Sequence, residues 1–406
     1  MTTSAAGADL TVAVIGTGQR SEIGLHVPEA RPGARVAAAV DPDPVGRERA
    51  RALFGDVPVH ADHHALIAAG GMDAAIVTTP DHTHADIAVD LLRAGVAVYL
   101  EKPLATTLAD ADRVLTTAAE TGTPLYVGHN FRHAAVVRTM REIIERGEIG
   151  EVKTVWVRHF VGHGGDYYFK DWHADRSKTG TLLLQKASHD IDVVHHLASG
   201  YTRRVVGMGD LMVYGGLPDR RERVGETMTD WFSMDNWPPA AQTGLNPVVD
   251  VEDVSMMLMT LDNGVLASYQ QCHFTPDYWR NYTVIGTEGR LENFGDTAGG
   301  VVRVWNRRHE WQAAGDREHP ISGVTTGHAD ADLLTMTEFL DLVIDGTPTL
   351  VSPVAAREAV AAGSSAAESL RDGSRPRTVP ELPQHVLDHF ARTSPTPRAA
   401  SGRTTR

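Results

Sequence analysis

Three side chains combine a group that can transfer protons with a position that suggests catalysis. Lys102 follows an apolar run that ends at Leu100, while Lys186 and His189 share a helical segment further along the chain. An imidazole titrates at about pH 6.5, and a lysine ammonium can stabilise negative charge that develops on an oxygen. These groups suit acid–base chemistry, in which one side chain takes or gives a proton and another stabilises the negative charge that develops.

The segment around His189 predicts one wall of a cleft. Spacings of three and four residues define a polar helical face, formed by Gln185, His189, Asp192 and His196. The same spacings define an apolar face that can pack inward, formed by Ala187, Ile191, Val194 and Ala198.

A turn that contains glycine follows the first apolar run and predicts a nucleotide site. Its residues are Gly16, Thr17, Gly18, Gln19 and Arg20. Glycines at the end of a strand let the backbone approach a pyrophosphate, although Ser21 stands where a third glycine would complete the usual pattern. Asp41, about 20 residues further on, can bind a ribose 2′-hydroxyl, which favours NAD. Arg20, together with Arg47 and Arg49, leaves NADP open, because a cation can accept a 2′-phosphate.

Alternating strand and helix patterns position the lysine and the glycine turn. Five short apolar runs predict strands at 11–15, 36–40, 74–78, 96–100 and 125–127. Helical patterns separate them, which predicts a doubly wound parallel sheet with helices on both faces. We therefore expect an α/β domain over residues 10–130, preceded by a flexible N-terminus at 1–9.

Strands predominate after residue 130. They are predicted at 152–159, 205–213, 254–261, 265–271, 281–285 and 301–305, and helices at 134–146, 331–344 and 354–370. This pattern indicates a second α/β domain at 131–385, with a large, open and mostly antiparallel sheet. Residues 217–248 are expected to form a long irregular excursion, and residues 386–406 a disordered tail.

Composition excludes several classes of function. The chain has 406 residues and a net charge of −14, which argues against a nucleic acid or an anionic membrane as partner. Cys272 is the only cysteine, so no intrachain disulfide can form, and the N-terminus lacks a signal-peptide pattern. No apolar run approaches the roughly 20 residues that span a bilayer. We expect a cytoplasmic protein that acts on a small molecule.

Taken together, the motifs resemble the Gfo/Idh/MocA family of NAD(P)-dependent oxidoreductases. The tripeptide Glu101-Lys102-Pro103 carries the most specific likeness, and Thr79-Pro80 with His84 adds to it. Further similar segments lie at 130–132, 147–152, 285–289 and 327–369. The resemblance implies a Rossmann domain, a second domain whose open sheet makes a homodimer or homotetramer, and oxidation or reduction of a sugar, glycoside or cyclitol.

The resemblance also implies roles for single residues. Lys102 would lie beside the nicotinamide and the substrate hydroxyl, and His84 near the nicotinamide ribose. His189 matches the catalytic histidine of the family, but Gln185 replaces its first aspartate. Because glutamine cannot take a proton, we infer that Lys186 supplies that function. A base must take the hydroxyl proton when hydride leaves the carbon, so we expect His189 to be that base and Lys102 to orient the hydroxyl, although either could take the proton. The predicted cofactor contacts are Gly16, Thr17, Gly18, Gln19, Arg20, Asp41, Thr79, Pro80, His84, Glu101 and Lys102.

Substrate recognition is expected from an aromatic and charged segment at 167–176, because aromatic rings stack on sugar faces. A packed connector is the alternative interpretation of this segment. The predicted substrate contacts are Arg132, Trp172, His173, Gln185, Lys186, His189, Asp192 and His328.

No metal site is predicted from the 20 histidines. His82 and His84 lack a third ligand at a familiar spacing, and the histidines at 60, 63 and 64 only cluster around a loop.

Three hypotheses about function remain open. The first is an NAD-dependent dehydrogenase of a carbohydrate-like secondary alcohol. The second is an NAD-dependent, redox-neutral glycoside hydrolase that acts by transient oxidation and elimination. The third is a non-catalytic regulator that senses dinucleotides, since a fold alone does not imply chemistry.

Overall fold

A parallel sheet of six strands forms the first domain of the computed structural model, which describes residues 10–323 and 329–391. The strand order is β3-β2-β1-β4-β5-β6, so the order reverses between β1 and β4, where doubly wound sheets bind ligands. The strands are β1 (Leu10–Ile15), β2 (Ala34–Val40), β3 (Val59–His60), β4 (Ala74–Val77), β5 (Ala97–Leu100) and β6 (Leu125–Val127).

Helices cover both faces of this sheet. They are α1 (Val27–Ala30), α2 (Pro44–Phe54), α3 (His63–Ala69), α4 (His84–Arg93) and α5 (Leu108–Thr121). Local sequence explains their ends: the Asp43 carboxylate accepts from the Val45 N–H and caps α2, and Thr107 caps α5 in the same way at Asp110. Gly122 then ends α5 in the left-handed conformation that glycine adopts without strain.

The second domain contains a nine-stranded sheet in the order β14-β13-β12-β11-β7-β10-β9-β8-β15. Every neighbouring pair is antiparallel except β7 and β10. The strands are β7 (Val152–Phe160), β8 (Thr202–Asp210), β9 (Val254–Leu261), β10 (Leu266–Cys272), β11 (Trp279–Gly286), β12 (Arg290–Phe294), β13 (Val301–Trp305), β14 (Arg317–Pro320) and β15 (Arg377–Thr378).

Helices pack on one face of the nine-stranded sheet. The remaining helices are α6 (Ala135–Glu145), α7 (Gly164–Tyr168), α8 (Arg176–Thr179), α9 (Leu182–Gln185), α10 (Ser188–Ala198), α11 (Met228–Trp231), α12 (Ala329–Asp345), α13 (Pro353–Arg371) and α14 (Gln384–Phe390). Helices α6, α10 and α13 share one core with the sheet, whereas α12 packs on the first domain through Met336 and Phe339. The other sheet face exposes large apolar side chains at Trp156, Met208, Met256, Leu258 and Leu266.

The fold class and most elements agree with the sequence prediction. The short strands β3, β12, β14 and β15 were not predicted. The predicted tail also begins too early, because α14 buries Val386 and Phe390 in the core of the first domain. Residues 392–406 lie outside the described part of the chain. Within that part, no helix has the length and apolar content that crossing a membrane requires.

Candidate active site

The glycine turn after β1 is shaped to admit a ligand. Gly16 has a φ of +85°, and a β-carbon there would lie 2.7–2.9 Å from atoms of Thr79. A β-carbon on Gly18 would meet nothing within 4 Å, and the 3-10 turn Gln19–His26 that follows has no side-chain cap. The backbone at the start of this turn can therefore approach an anion closely. This geometry fits the pyrophosphate of a dinucleotide.

Asp41 closes the same edge of the sheet at the end of β2. The Thr17 N–H and hydroxyl donate to its Oδ2 over 2.9 and 2.7 Å, and the Asp43 N–H donates to its Oδ1. A β-carbon on Gly46 would lie 2.2–2.5 Å from this carboxyl group, so only glycine lets α2 approach Asp41 this closely. The side chain remains partly exposed and can still accept from a ribose hydroxyl.

The nearby arginines are engaged with other groups. All three guanidinium nitrogens of Arg20 bind Glu101 or Asp332, and these carboxylates outweigh burial and hold the pKa of Arg20 well above its ordinary value. Arg47 and Arg49 donate to backbone carbonyl oxygens. Arg20 therefore already has two carboxylate partners, and NADP stays open as the alternative cofactor.

Lys102 connects the two domains at the end of β5. Its Nζ donates to the Gln185 carbonyl oxygen over 3.1 Å. Burial lowers the pKa of Lys102, and the Asp81 and Glu101 carboxylates oppose that shift. Conversely, burial raises the pKa of Asp81, which is 4% exposed. The lowered pKa makes Lys102 a stronger acid than an exposed lysine, which suits a group that transfers a proton or stabilises an alkoxide.

His84 is a structural support for this region. Its Nδ1 lies 2.8 Å from the Pro103 carbonyl oxygen, and its Nε2 lies 2.9 Å from that of Thr79. The ring is 1% exposed, and its two contacts join Thr79 to the loop that contains Lys102 and Pro103. The contact of His84 with a nicotinamide ribose stays a prediction.

The predicted catalytic helix is interrupted. Helix α9 ends at Gln185 and α10 begins at Ser188, so Lys186 lies at the break rather than on one continuous face. His189, in the first turn of α10, has ring centroids of Phe131 and His129 at 5.2 and 6.1 Å. The sequence reasoning missed the break because the intervening residues all favour helix.

Arg132 and Asp192 bind each other. Arg132 Nε and one terminal nitrogen donate to the two Asp192 oxygens, each over 2.7 Å. The residues are 3% and 1% exposed, and Arg132 lowers the pKa of Asp192 to about 2 against the cost of burial. The pair anchors α10 to the turn Asn130–His133, and its contact with substrate stays a prediction.

The aromatic segment does reach the Lys102 region. Trp172 and His173 stack with centroids 3.7 Å apart, and His82 lies against Trp172 at 6.4 Å. Burial raises the pKa of Asp81, whereas His84, Lys102 and His173, in that order, lower it. Trp172 and His173 thus remain candidates for substrate contact, whereas His328 lies outside the described residues.

Two family models match this arrangement. An oxidoreductase-family model with an NAD-binding Rossmann fold covers residues 10–129, and a Gfo/Idh/MocA C-terminal domain model covers residues 137–292. The chain belongs to the Gfo/Idh/MocA family. Its first domain is therefore an NAD-binding Rossmann domain.

Relatives within the Gfo/Idh/MocA family have several activities. The chain is 35% identical over 176 residues to inositol 2-dehydrogenase 1 of Saccharopolyspora erythraea, covering 43% of this chain and 49% of that protein. It is 31% identical over 209 residues to a 2,7-anhydro-N-acetylneuraminate hydratase of Mediterraneibacter gnavus, covering 50% and 53%. The chain thus spans about half the length of these relatives. A levoglucosan dehydrogenase structure with NADH and levoglucosan shares the fold, at 18% identity with a TM-score of 0.75 over 92% and 100% of the chains.

In this Gfo/Idh/MocA protein, three residues of the cleft were missed from sequence. Asp81 faces Lys102, although the segment that contains it was recognised. Asp190 is fully buried beside His189, and His159 Nδ1 lies 3.0 Å from its Oδ2. Arg280 on β11 stacks on Phe131 at 3.9 Å from the ring centroid. Adjacency to His189 could have singled out Asp190, but no local signal distinguishes Arg280.

A second histidine group lies in the first domain. His63 Nε2 lies 3.0 Å from the Asp90 carboxylate, and His64 completes a group whose possible ligand atoms lie within 4.8 Å of one another. The sequence analysis noted the two histidines but not Asp90, which α4 brings to them.

Proposed function

We propose that this protein is an NAD-dependent oxidoreductase that transfers hydride between a nicotinamide cofactor and a secondary hydroxyl of a sugar, glycoside or cyclitol. The observation that carries the proposal is the bond from Lys102 Nζ to the Gln185 carbonyl oxygen. It joins the end of a strand in the cofactor domain to the segment that leads into His189. This contact supports placing the two groups that the reaction needs in one site.

The chemistry divides between two side chains. The nicotinamide, when bound, supplies the hydride acceptor. His189 takes the hydroxyl proton, and the Lys102 ammonium stabilises the negative charge on the oxygen until the carbonyl forms. Asp81 opposes the effect of burial on the pKa of Lys102 and so favours its charged form. Thr79, Pro80 and Glu101 shape the cofactor side of the cleft.

The cofactor is NAD rather than NADP in this proposal. Asp41 offers a partly exposed carboxylate at the end of β2, and a 2′-phosphate would be repelled by it. Arg20, Arg47 and Arg49 already bind protein groups.

Purified protein with NAD and a panel of sugars, glycosides and cyclitols tests this function. We expect reduced NAD to accumulate, and Lys102→Ala and His189→Ala each to lower turnover by at least about 10²-fold. Both variants should still bind NAD. Near-normal turnover in either variant would refute the role of that residue.

A redox-neutral reaction is a second candidate. It is favoured by Lys186, a second lysine in the cleft that could remove a carbon-bound proton during elimination, and by the similarity to a hydratase. Release of an aglycone, or hydration, without net NAD reduction would favour this reaction over the dehydrogenase. A protein that binds NAD and does neither would be a regulator.

We also propose that the exposed face of the nine-stranded sheet forms a homodimer or homotetramer. Its five large apolar side chains form a surface of the kind that monomers rarely expose. Sedimentation of the wild type and of a Leu258→Lys, Trp156→Glu variant tests this: the wild type should sediment as an oligomer and the variant as a smaller species.

A further inference from the structure

Arg280 presents an unsatisfied guanidinium inside the cleft. The residue is 3% exposed, and its Nε lies 3.2 Å from an Asp190 oxygen. That Nε lacks hydrogen-bond geometry, and the terminal nitrogens make no hydrogen bond to any residue within 10–323 or 329–391. Asp190 already binds His159 and Tyr282. Buried arginines normally have their N–H groups paired, so Arg280 has donors to offer a ligand.

Lys186, unlike Arg280, is a cation without an ion pair among the described residues. Its Nζ lies 5.4 Å from the centre of the Tyr168 ring and makes neither a hydrogen bond nor an ion pair with the described residues. Burial lowers its pKa well below the ordinary value, and Arg280 and Lys102 lower it further. An anion beside Lys186 would relieve both repulsions.

Gln185 explains why Lys186 has no counter-ion. The aspartate that the family resemblance places there would add a carboxylate next to Lys186, and glutamine supplies none. Its Oε1 is also buried and has no partner among the described residues. Lys102 has the carboxylates of Asp81 and Glu101 nearby, and Arg280 forms an ion pair with Asp190. Lys186 is thus the cation of the cleft that lacks an ion pair with the described residues.

We propose that the substrate is an acidic sugar or polyol whose carboxylate is bound by Arg280 and Lys186. The planar fork of an arginine matches the two oxygens of a carboxylate, and the same anion would give Lys186 the counter-ion that it lacks. The Arg280 guanidinium stacks on the Phe131 ring, and the same ring contacts His189, the proposed base. Arg280 therefore lies one side chain away from the reacting hydroxyl in this proposal. This inference rests on the proposed function, because it names the substrate class of the same site.

Matched pairs of substrates test the proposal. Glucose and glucuronate, galactose and galacturonate, and xylitol and xylonate each differ by an acid group, and glucose 6-phosphate provides a phosphate arm. We expect kcat/KM for the preferred acid to exceed that of its neutral partner by at least about 10²-fold. The same preference should appear in calorimetric titrations of the protein loaded with NAD.

Variants locate the carboxylate contact. Arg280→Gln and Lys186→Gln should each weaken binding of the acid by at least about tenfold and change binding of the neutral partner by less than about threefold. Arg280→Lys keeps the charge and serves as a second variant if Arg280→Gln disturbs folding. Its affinity for the acid should lie between those of the wild type and Arg280→Gln. Arg93→Gln, at an exposed position on α4, is the matched control and should leave both unchanged.

The outcomes separate the two proposals. Reduction of NAD by neutral sugars as efficiently as by acids, or tighter binding of glucose 6-phosphate than of every carboxylate, would overturn the acidic substrate and leave the oxidoreductase intact. If no compound reduces NAD, the oxidoreductase proposal fails, and the calorimetric titrations then test the carboxylate site by themselves. Tighter binding of acids than of their neutral partners, lost in Arg280→Gln, would support that site. Equal or absent binding would overturn it.

Discussion

The buried pair of Arg132 and Asp192 gives the most quantitative prediction. Asp192→Asn keeps the size of the side chain and removes its charge, which leaves the Arg132 guanidinium buried and without its counter-ion. Breaking such a pair costs about 3–5 kcal/mol. A second route gives a similar scale: the difference between the ordinary carboxyl pKa of 3.8 and about 2 corresponds to about 2.5 kcal/mol, before the cost of the unpaired arginine is added.

Scanning calorimetry measures this loss. A unit of 150–250 residues changes its melting temperature by about 2–4 °C per kcal/mol, so Asp192→Asn should lower that of the second domain by about 6–20 °C. Asp86→Asn is the matched control, because Asp86 pairs with Arg113 at an exposed site. Surface pairs contribute about 0–1 kcal/mol, so the control should melt within a few degrees of the wild type.

Two results would show that the reasoning is wrong. One is a melting temperature of Asp192→Asn that equals that of Asp86→Asn. The other is a double variant, Arg132→Met with Asp192→Leu, that is less stable than Asp192→Asn, because removing both charges should recover much of the loss. Turnover should fall in Asp192→Asn even where the protein remains folded, because the pair anchors the helix that carries His189.

Four further outcomes are expected. Gly16→Ala should lower the melting temperature of the NAD-free protein, since strain at positive φ costs about 1–3 kcal/mol, whereas Gly18→Ala should spare it and weaken NAD binding in a titration. Asp41→Ala should weaken NAD binding by at least about tenfold and NADP binding by less; an equal loss would contradict its ribose role. Arg357→Met should destabilise the protein by about 3–5 kcal/mol in calorimetry, because Arg357 is fully buried and pairs with Asp112 on α5. The low folded pKa of Asp192 adds stability above its ordinary pKa, and denaturation curves should show that stability lost as the pH falls toward about 2.

Local patterns were sufficient for most of the architecture. The strands at 254–261 and 301–305 were predicted with the observed bounds, because alternation between buried and exposed residues is a property of neighbouring positions. The interruption between α9 and α10 was not predictable in this way. Spacing placed Gln185 and His189 on one face. Lys186 keeps helical dihedral angles, but the regular hydrogen-bond pattern breaks after it, because the Ala187 N–H donates to the Leu182 carbonyl.

By itself, the sequence determined the order of the elements, the glycine turn and the position of Lys102 at a strand end, because each depends on residues close together in the chain. Only the tertiary structure decided which charges meet. Arg132 and Asp192 are 60 residues apart and neutralise each other, whereas Arg280 on a distant strand reaches the cleft with its donors unpaired. Such pairings depend on how sheets and helices pack, and no local spacing encodes them.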